Sequence, residues 1–251
     1  MRKTLLPLSL SLLVVTLPLS SLRAKESVEP APLRYTLEEM KGEVTLIPAG
    51  GTQARAVTLG DAVGPGDEVH VGPEGEAVLF LNEETVIHLG GDSVLAVDRL
   101  EPTEQGGFLN RLRLMAGRVL SEVKNLAKAR STFEVESGGV VCGVRGTSFE
   151  VERSGDQVDT TTYEGEVEVK SGDSLERVKA GYRFGFLKNR VLMKRKLDRI
   201  EKDRFEKWTK HRKTLKDKYL KRMKVLRNQH QRNLQKSRLR YQDLKQKRKD
   251  R

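Results

Sequence analysis

The sequence predicts an all-β domain (a sandwich, a barrel or a β-roll of many short strands) followed by a long, basic α-helical tail. Two observations lead to this prediction. Within residues 35–187, short runs that alternate apolar and polar residues recur about every ten residues and are separated by glycine-containing turns, which is typical of antiparallel sheets. After Gly185 the chain contains neither glycine nor proline, and apolar residues recur every three to five positions, which favours a helix.

Residues 1–24 have the layout of a secretory signal peptide. Arg2 and Lys3 precede an apolar run over residues 5–19, and small residues lie before Ala24. The run is shorter than the ~20 apolar residues that span a bilayer, and serines and prolines interrupt it. We therefore predict export with cleavage after Ala24, an uncleaved anchor being the alternative. The polar, proline-containing residues 25–34 are predicted to form a short linker.

The β region is organised around residues 133–152. Its two alternating runs place Phe133, Val135, Phe149 and Val151 on buried faces. The segment between the runs, SGGVVCGVRG, contains four glycines, which allow a sharp turn and close packing of the backbone. Its one charged residue is Arg145. We expect this arginine either to pin a neighbouring loop through carboxylate or backbone oxygens, or to bind a partner.

Several motifs in this region occur in a fixed order along the chain. Residues 143–149, GVRGTSF, resemble the VRGT-x-F signature of the FecR domain, an extracytoplasmic all-β module. The other matching segments are GDAVGPGD at 60–67, AVLFL at 77–81, TVIHL at 85–89, GRV at 117–119, EGEVEV at 164–169 and the Ala180–Gly181 pair.

The resemblance implies a location in the periplasm or cell envelope of a diderm bacterium and a role in protein binding. In the regulator branch of the family, such proteins relay a signal from an outer-membrane receptor to a cytoplasmic sigma factor. This chain departs from that plan, because no cytoplasmic segment precedes its predicted export signal. A stand-alone scaffold or sensor is therefore the expectation, and a link to iron signalling stays open.

The net charge of +12 combines two segments of opposite sign. Residues 25–192 contain 19 Lys and Arg against 28 Asp and Glu, whereas residues 193–251 contain 25 against 7. This division is typical of a compact module with a basic arm that seeks acidic partners. We therefore assign residues 35–187 to a FecR-like β domain and residues 188–251 to a basic helical tail.

The β domain offers no constellation for catalysis or metal binding. His70 and His88 lack partners at metal-ligand spacing and are interpreted as strand residues. The single cysteine, Cys142, excludes a disulfide within the chain and is interpreted as a small buried hydrophobe, with an intermolecular disulfide or a reactive thiol as the alternatives. The serines lack a nucleophile-elbow pattern. The sequence thus predicts neither an enzyme nor a cofactor site.

The apolar residues of the tail form one narrow stripe on an otherwise charged helix, which the helix cannot bury alone. The stripe would pair with a second copy as an imperfect coiled coil, fold back as a hairpin, or lie on an acidic surface. The alternative is a solvated, partly disordered basic tail. Acids become scarce after Asp217, which argues for an anionic partner over a long parallel dimer, with self-association as the alternative. The candidate contacts to an anionic surface are Lys210, Arg212, Lys213, Lys221, Arg222, Arg238 and Arg240.

Two functions follow from these features. The first is a non-enzymatic envelope module that binds an envelope protein or glycan through its β domain. Its cationic helix would hold it to anionic lipid, lipopolysaccharide or cell-wall polymer. The alternative is nucleic-acid binding through the tail, where Trp208, Tyr219 and Tyr241 are interleaved with the cations. The predicted signal peptide argues against nucleic acid.

Overall fold

The computed structural model describes residues 32–83, 85–124, 131–188 and 190–249. The predicted signal peptide and most of the predicted linker lie outside these ranges. The described chain forms seventeen strands and then one helix, α1, which spans Arg199–Lys249. The predicted fold class, an all-β domain followed by a long helical tail, is confirmed.

The strands are short, except for β9. They are β1 (Tyr35–Lys41), β2 (Val44–Ile47), β3 (Arg55–Ala56), β4 (Ala62–Val63), β5 (Glu68–Val71), β6 (Glu76–Phe80), β7 (Thr85–Leu89), β8 (Val94–Pro102), β9 (Phe108–Val123), β10 (Thr132–Ser137), β11 (Val140–Val144), β12 (Thr147–Ser154), β13 (Gln157–Glu164), β14 (Glu166–Ser171), β15 (Ser174–Lys179), β16 (Tyr182–Leu187) and β17 (Arg190–Lys196).

The strands form two sheets that share β9. Sheet A has the order β4-β1-β6-β7-β9-β12-β13-β16-β17. Sheet B has the order β3-β2-β5-β8-β9-β10-β11-β14-β15. Among the pairings of the described strands, only that of β9 with β10 is parallel. Among the strands that the structure describes, no pairing closes either sheet on itself, so the architecture is an open sandwich.

Strand β9 passes from sheet B to sheet A at Gly117. Residues 108–116 pair with β8, whereas residues 117–123 pair with β12. Gly117 has φ = +76°, and a Cβ atom at this position would lie 2.5 Å from Cα of Ser93. Only glycine fits this bend, because an L side chain would meet both an unfavourable φ and a backbone clash.

One hydrophobic core fills the space between the sheets and takes side chains from both of them. Phe133, Val135, Phe149 and Val151 are all fully buried in it, which confirms the prediction from their alternation. Cys142 is also fully buried in this core, and its Sγ lies 3.2 Å from Oγ1 of Thr160. Burial raises the pKa of the Cys142 thiol to about 12, so the cysteine is packed as an inert thiol.

The β structure extends beyond the boundary assigned at residue 187. Strand β17 covers Arg190–Lys196 and pairs with β16 at the edge of sheet A. The helix begins only at Arg199. Its first half lies on the outer face of sheet A and buries a second, smaller cluster there. The molecule therefore has three layers in this region, in the order helix, sheet A, sheet B.

Candidate functional site

The basic helix begins with a reciprocal cap. Oδ1 of Asp198 accepts a hydrogen bond from the backbone N–H of Glu201 at 2.9 Å, and Oε2 of Glu201 accepts one from the N–H of Asp198 at 2.9 Å. This is a capping box, which satisfies two backbone donors at the helix start. Glu201 also accepts hydrogen bonds from Arg195 at 2.6 and 2.7 Å. The helix start is thereby fixed to the last strand.

The carboxyl group of Glu201 is charged in this setting. Burial alone would raise its pKa, but the hydrogen bonds from Arg195 and from the Asp198 backbone outweigh this effect and lower the pKa. A charged carboxylate in the first turn also suits the positive end of the helix dipole. The helix start is therefore stabilised at neutral pH.

Residues 199–222, termed the docked half of the helix, pack on sheet A through an apolar cluster. Trp208, Leu215 and Tyr219 are buried against β6, β7 and β9. The sheet residues in this cluster are Val78, Phe80, Val86 and Leu120. From Phe205 to Tyr219 the predicted apolar stripe is thus covered by the chain's own β domain, whereas Ile200 at the start of the helix is 77% exposed. Three aromatic contacts add to the packing. The ring pairs are Phe80–Tyr219, His88–Trp208 and Tyr163–Phe205.

Three arginines of the docked half pair with carboxylates on the outer face of sheet A. Arg204 donates to Oε1 of Glu150 on β12 at 2.8 Å, and Arg212 lies 2.5 Å from Oε2 of Glu122 on β9. A third pair joins Arg222 to Glu38 on β1. The three carboxylates are almost fully buried, with 3–7% of each side chain exposed. The helix therefore supplies counter-charges to these buried acids, in addition to Arg118 beside Glu150 and Lys124 beside Glu122 on the β domain.

Two of these carboxyl groups have perturbed acidities. Burial raises the pKa of Glu150, although Arg204 and Arg118 oppose the shift. Burial also raises the pKa of Glu38, against the attraction of Arg222. Both shifts have the same origin, because the helix removes water from the sheet face while it provides the guanidinium groups.

The second half of the helix, residues 223–249, is termed the free arm. Every side chain described in it, at residues 223–242 and 246, is exposed. The free arm contains ten Lys and Arg against the single Asp243. Met223, Leu226, Leu234 and Tyr241 continue the apolar stripe into solvent. At 1.5 Å per residue, this half is about 40 Å long.

The predicted anionic-surface contacts fall into two groups. Lys210, Lys213, Lys221, Arg238 and Arg240 are exposed, and among the described residues none of them forms an ion pair. The other two predicted contacts, Arg212 and Arg222, instead pair with Glu122 and Glu38 of the β domain. Sequence reasoning missed these pairs, because it gives no distance between a helix and a sheet.

Arg145 lies at the end of β11 in the turn of the VRGT motif. It is exposed, and within the part of the chain that the structure describes, no hydrogen bond or ion pair involves it. Among the described residues, no acceptor lies within hydrogen-bonding or ion-pair distance of its guanidinium. The turn borders a cavity of about 700 Å³ on sheet B, whose lining includes Glu134, Gly143, Glu166 and Arg177.

Two features of the sequence are signals for the docked half. The segment DRIE, residues 198–201, has the spacing of a capping box. The run AVLFL, residues 77–81, is apolar at consecutive positions instead of alternating. A strand that is apolar on both faces is typical of a sheet covered on both sides.

A family model described as "FecR protein" matches residues 67–168. The chain therefore contains a FecR domain, and this match includes the turn that holds Arg145 and most of the two-sheet core. The match supports a regulatory or sensor module over an enzyme. Proteins of this kind work with partners in signalling.

Two crystal structures of a candidate anti-sigma factor from Parabacteroides distasonis ATCC 8503 are similar to this chain. Their identities are 19% and 21%, and the TM-score is 0.43 for both. Each match covers 52% of this chain and 60% of the other, so the chain spans less than two thirds of these neighbours. No curated protein matches the sequence.

The described residues contain neither a metal site nor a membrane-spanning helix. No group of three or more His, Cys, Asp or Glu side chains within those residues is arranged to hold a metal ion. Within the same residues, no helix has the length and the apolar character needed to cross a membrane.

Proposed function

We propose that this chain is a non-enzymatic sensor or scaffold module of the bacterial cell envelope. Its FecR domain binds an envelope protein or glycan, and its free arm attaches the module to an anionic surface such as lipid, lipopolysaccharide or cell-wall polymer. The proposal includes export by the N-terminal signal peptide.

The observation that carries the proposal is the contrast between the two halves of the helix. The docked half buries Trp208, Leu215 and Tyr219 and pairs three of its arginines with acids of the β domain, whereas the free arm exposes both its apolar residues and its cations. A helix of this kind binds an anionic interface through buried apolar side chains and electrostatic attraction. Each Lys or Arg near such a surface contributes about 1 kcal/mol.

Five of the seven predicted contacts remain available for this role. Arg238 and Arg240 lie on the free arm, and Lys210, Lys213 and Lys221 lie on the exposed side of the docked half. A second copy of the helix is a poor partner for the free arm, because ten cations against one acid would repel an equal charge.

The structure favours a lipid or polymer surface over nucleic acid. Stacking on bases requires exposed aromatic rings, but Trp208 and Tyr219 are 7% exposed in the helix–sheet interface. Only Tyr241 of the three interleaved aromatic residues is exposed, at 69%. Nucleic-acid binding therefore remains the alternative and is one of the outcomes of the test below.

The test uses protein without residues 1–24 and vesicles of phosphatidylglycerol or phosphatidylcholine. We expect binding to phosphatidylglycerol alone, weakening as salt is raised, and lost when residues 223–251 are deleted. Arg238→Glu combined with Arg240→Glu should weaken binding strongly. Stronger binding to duplex DNA than to the anionic vesicles would favour the alternative, and unchanged vesicle binding after the deletion would refute the tether.

Export requires a separate measurement in cells. The mature protein is expected to begin at Lys25 and to leave the membrane fraction in high salt. An intact Met1 on a protein in the cytosol would contradict the envelope assignment.

A further inference from the structure

The geometry points to a peptide-binding site on the outer face of sheet B, in the cavity beside Arg145. We propose that it binds an extended peptide segment that carries one carboxylate and one basic side chain. The carboxylate pairs with Arg145, and the basic group lies between Glu166 and Glu168. This inference rests on the proposed function, since it specifies the partner of the FecR domain as a peptide.

A glycine in the middle of the sheet leaves part of the cavity floor without a side chain. Gly143 on β11 is paired with Glu134 on β10 and with Glu168 on β14. A Cβ atom at Gly143 would meet only the backbone oxygen of Glu168, at 3.9 Å. The gap between the two glutamates is therefore open, and its volume of about 700 Å³ lies within the ~300–1,000 Å³ of ligand pockets.

Arg145 is an exception among the arginines of the β domain. In the described part of residues 32–187, all arginines except Arg145 form a hydrogen bond or an ion pair. A guanidinium group presents five donors in a planar fork that matches a carboxylate. Arg145 is thus free to bind a carboxylate from outside the molecule.

Two touching turns fix the position of Arg145. Gly146 follows it with φ = +97°, and Gly165 has φ = +77° in the turn between β13 and β14. A Cβ atom on Gly165 would lie 2.9 Å from the backbone oxygen of Gly146. Because the turns pack this closely, the arginine is presented from a preorganised backbone, which lowers the entropic cost of binding.

The acidic residues of the cavity provide a place for the basic side chain of the peptide. Glu134 already pairs with Arg111 at 2.9 Å. Glu166 and Glu168 share one exposed partner, Arg177, at 3.8 and 4.0 Å. Pairs at this distance and exposure are weak, so a basic group of the ligand can compete with Arg177.

The same residues exclude other ligand classes. A phosphate dianion would be repelled by the carboxylates of Glu134, Glu166 and Glu168, which line the same cavity as Arg145. The one aromatic residue of the lining, Phe133, is fully buried and presents no ring for a sugar to stack on. A segment with one group of each sign matches the charges that are present.

The probe is an array of acetylated and amidated heptapeptides on an Ala and Gly background. Each carries one Asp and one Lys at varied spacing, and the matched peptides carry Asn, Gln or both in their place. The full chain is expected to bind the Asp and Lys peptides best. Arg145→Gln should lower this binding at least tenfold with an unchanged melting temperature. The matched control, Arg99→Gln, removes an exposed, ion-paired arginine outside the cavity and should leave binding unchanged.

Three results would overturn the proposal. They are no binding to any peptide, equal binding of the Asn or Gln peptides, or unchanged binding by Arg145→Gln. Attraction of acidic peptides to the free arm would be unaffected by Arg145→Gln, so it is distinguishable from the site. Vesicle binding is expected to be the same in Arg145→Gln and in the wild type, so failure of the tether and failure of this site are measured separately.

Discussion

Gly117 connects the two sheets at a single residue, and Gly117→Ala is expected to destabilise the domain by about 3 kcal/mol or more. The left-handed φ costs an L residue roughly 1–2 kcal/mol. A Cβ atom 2.5 Å from Cα of Ser93 and 2.6 Å from the oxygen of Asp92 adds a clash with backbone atoms. The measurement is the free energy of unfolding in urea.

Gly50 provides the matched control for Gly117. It has φ = +71°, but a Cβ atom there would meet nothing within 4 Å. Gly50→Ala should therefore lose only the roughly 1–2 kcal/mol that the backbone conformation costs. Equal losses in the two variants would mean that the bend in β9 tolerates a side chain.

His88 places a titratable group between sheet A and the helix. Its ring stacks on Trp208 with the centroids 4.5 Å apart and the planes 7° from parallel. Burial lowers the pKa of His88, with further lowering by Arg118 and His211, while Glu76 at 3.5 Å opposes the shift. The neutral ring is thus favoured in the folded state.

The contribution of His88 to stability should therefore fall as the pH falls. This contribution is fully present at a pH above about 6.5, the pKa of histidine in the unfolded chain. It is lost progressively as the pH falls toward the lower pKa of His88 in the folded protein. His88→Phe keeps a ring against Trp208 but removes the titration. The free energy of unfolding of wild type minus that of His88→Phe should decrease between pH 8 and pH 5, and parallel profiles would contradict this assignment.

At the scale of elements, sequence periodicity predicted the strands and the helix but not the surface that the helix covers. Alternation placed Phe133 and Phe149 in the core because the side chains of a strand alternate between its two faces. The helical period indicated a stripe with Trp208 and Tyr219, but a period defines a face and leaves its partner unspecified. The partner depends on how the sheet is assembled from strands far apart in sequence.

For the candidate sites, too, the sequence identified residues but not the residues that lie opposite them in space. The motif identified Arg145, but only the paired strands reveal the gap over Gly143 beside it. The basic composition identified the cations of the tail, but it gave no sign that Arg212 and Arg222 pair with buried carboxylates of the β domain. Their sequence neighbourhood does not distinguish them from exposed cations such as Lys213.

Arg212→Ala is expected to weaken docking of the helix by about 2–3 kcal/mol. Removing one partner of a buried pair typically costs 3–5 kcal/mol, and Glu122 keeps Lys124 at 2.9 Å as a partial substitute. Lys213→Ala, the adjacent exposed cation, should change stability by less than about 0.5 kcal/mol. Trp208, the only tryptophan of the chain, reports docking through its fluorescence during urea unfolding.

A double-mutant cycle separates the ion pair from packing of the arginine stem. Arg212→Met combined with Glu122→Gln should recover most of the stability that Arg212→Met loses, because the buried charge is removed as well. Additive losses in the cycle would show that the two residues do not interact.

At the scale of the whole molecule, the segregation of charge has two different consequences. Over the docked half, the acids of the β domain and the arginines of the helix neutralise one another at a buried interface. Over the free arm, no part of the described chain compensates the cations. The same basic helix thus belongs to the fold at its beginning and remains available for binding at its end.

Two deletions should separate these roles. Deleting residues 223–251 removes no buried side chain that the structure describes, so the melting temperature should stay unchanged. Deleting residues 199–251 also removes Trp208, Leu215 and Tyr219 from their cluster, which corresponds to a loss of roughly 5 kcal/mol at ~1.5–3 kcal/mol per buried side chain. It further leaves Glu122 and Glu150 without their helix partners.

The protein that lacks residues 199–251 should therefore melt at a much lower temperature in differential scanning calorimetry. The outer face of its sheet A should also become accessible to the hydrophobic dye ANS. Equal melting temperatures for both deletions would mean that the docked half contributes nothing to folding. In that case the helix would be an appendage along its whole length, and Arg212 and Arg222 would rejoin the cations that are available to an anionic surface.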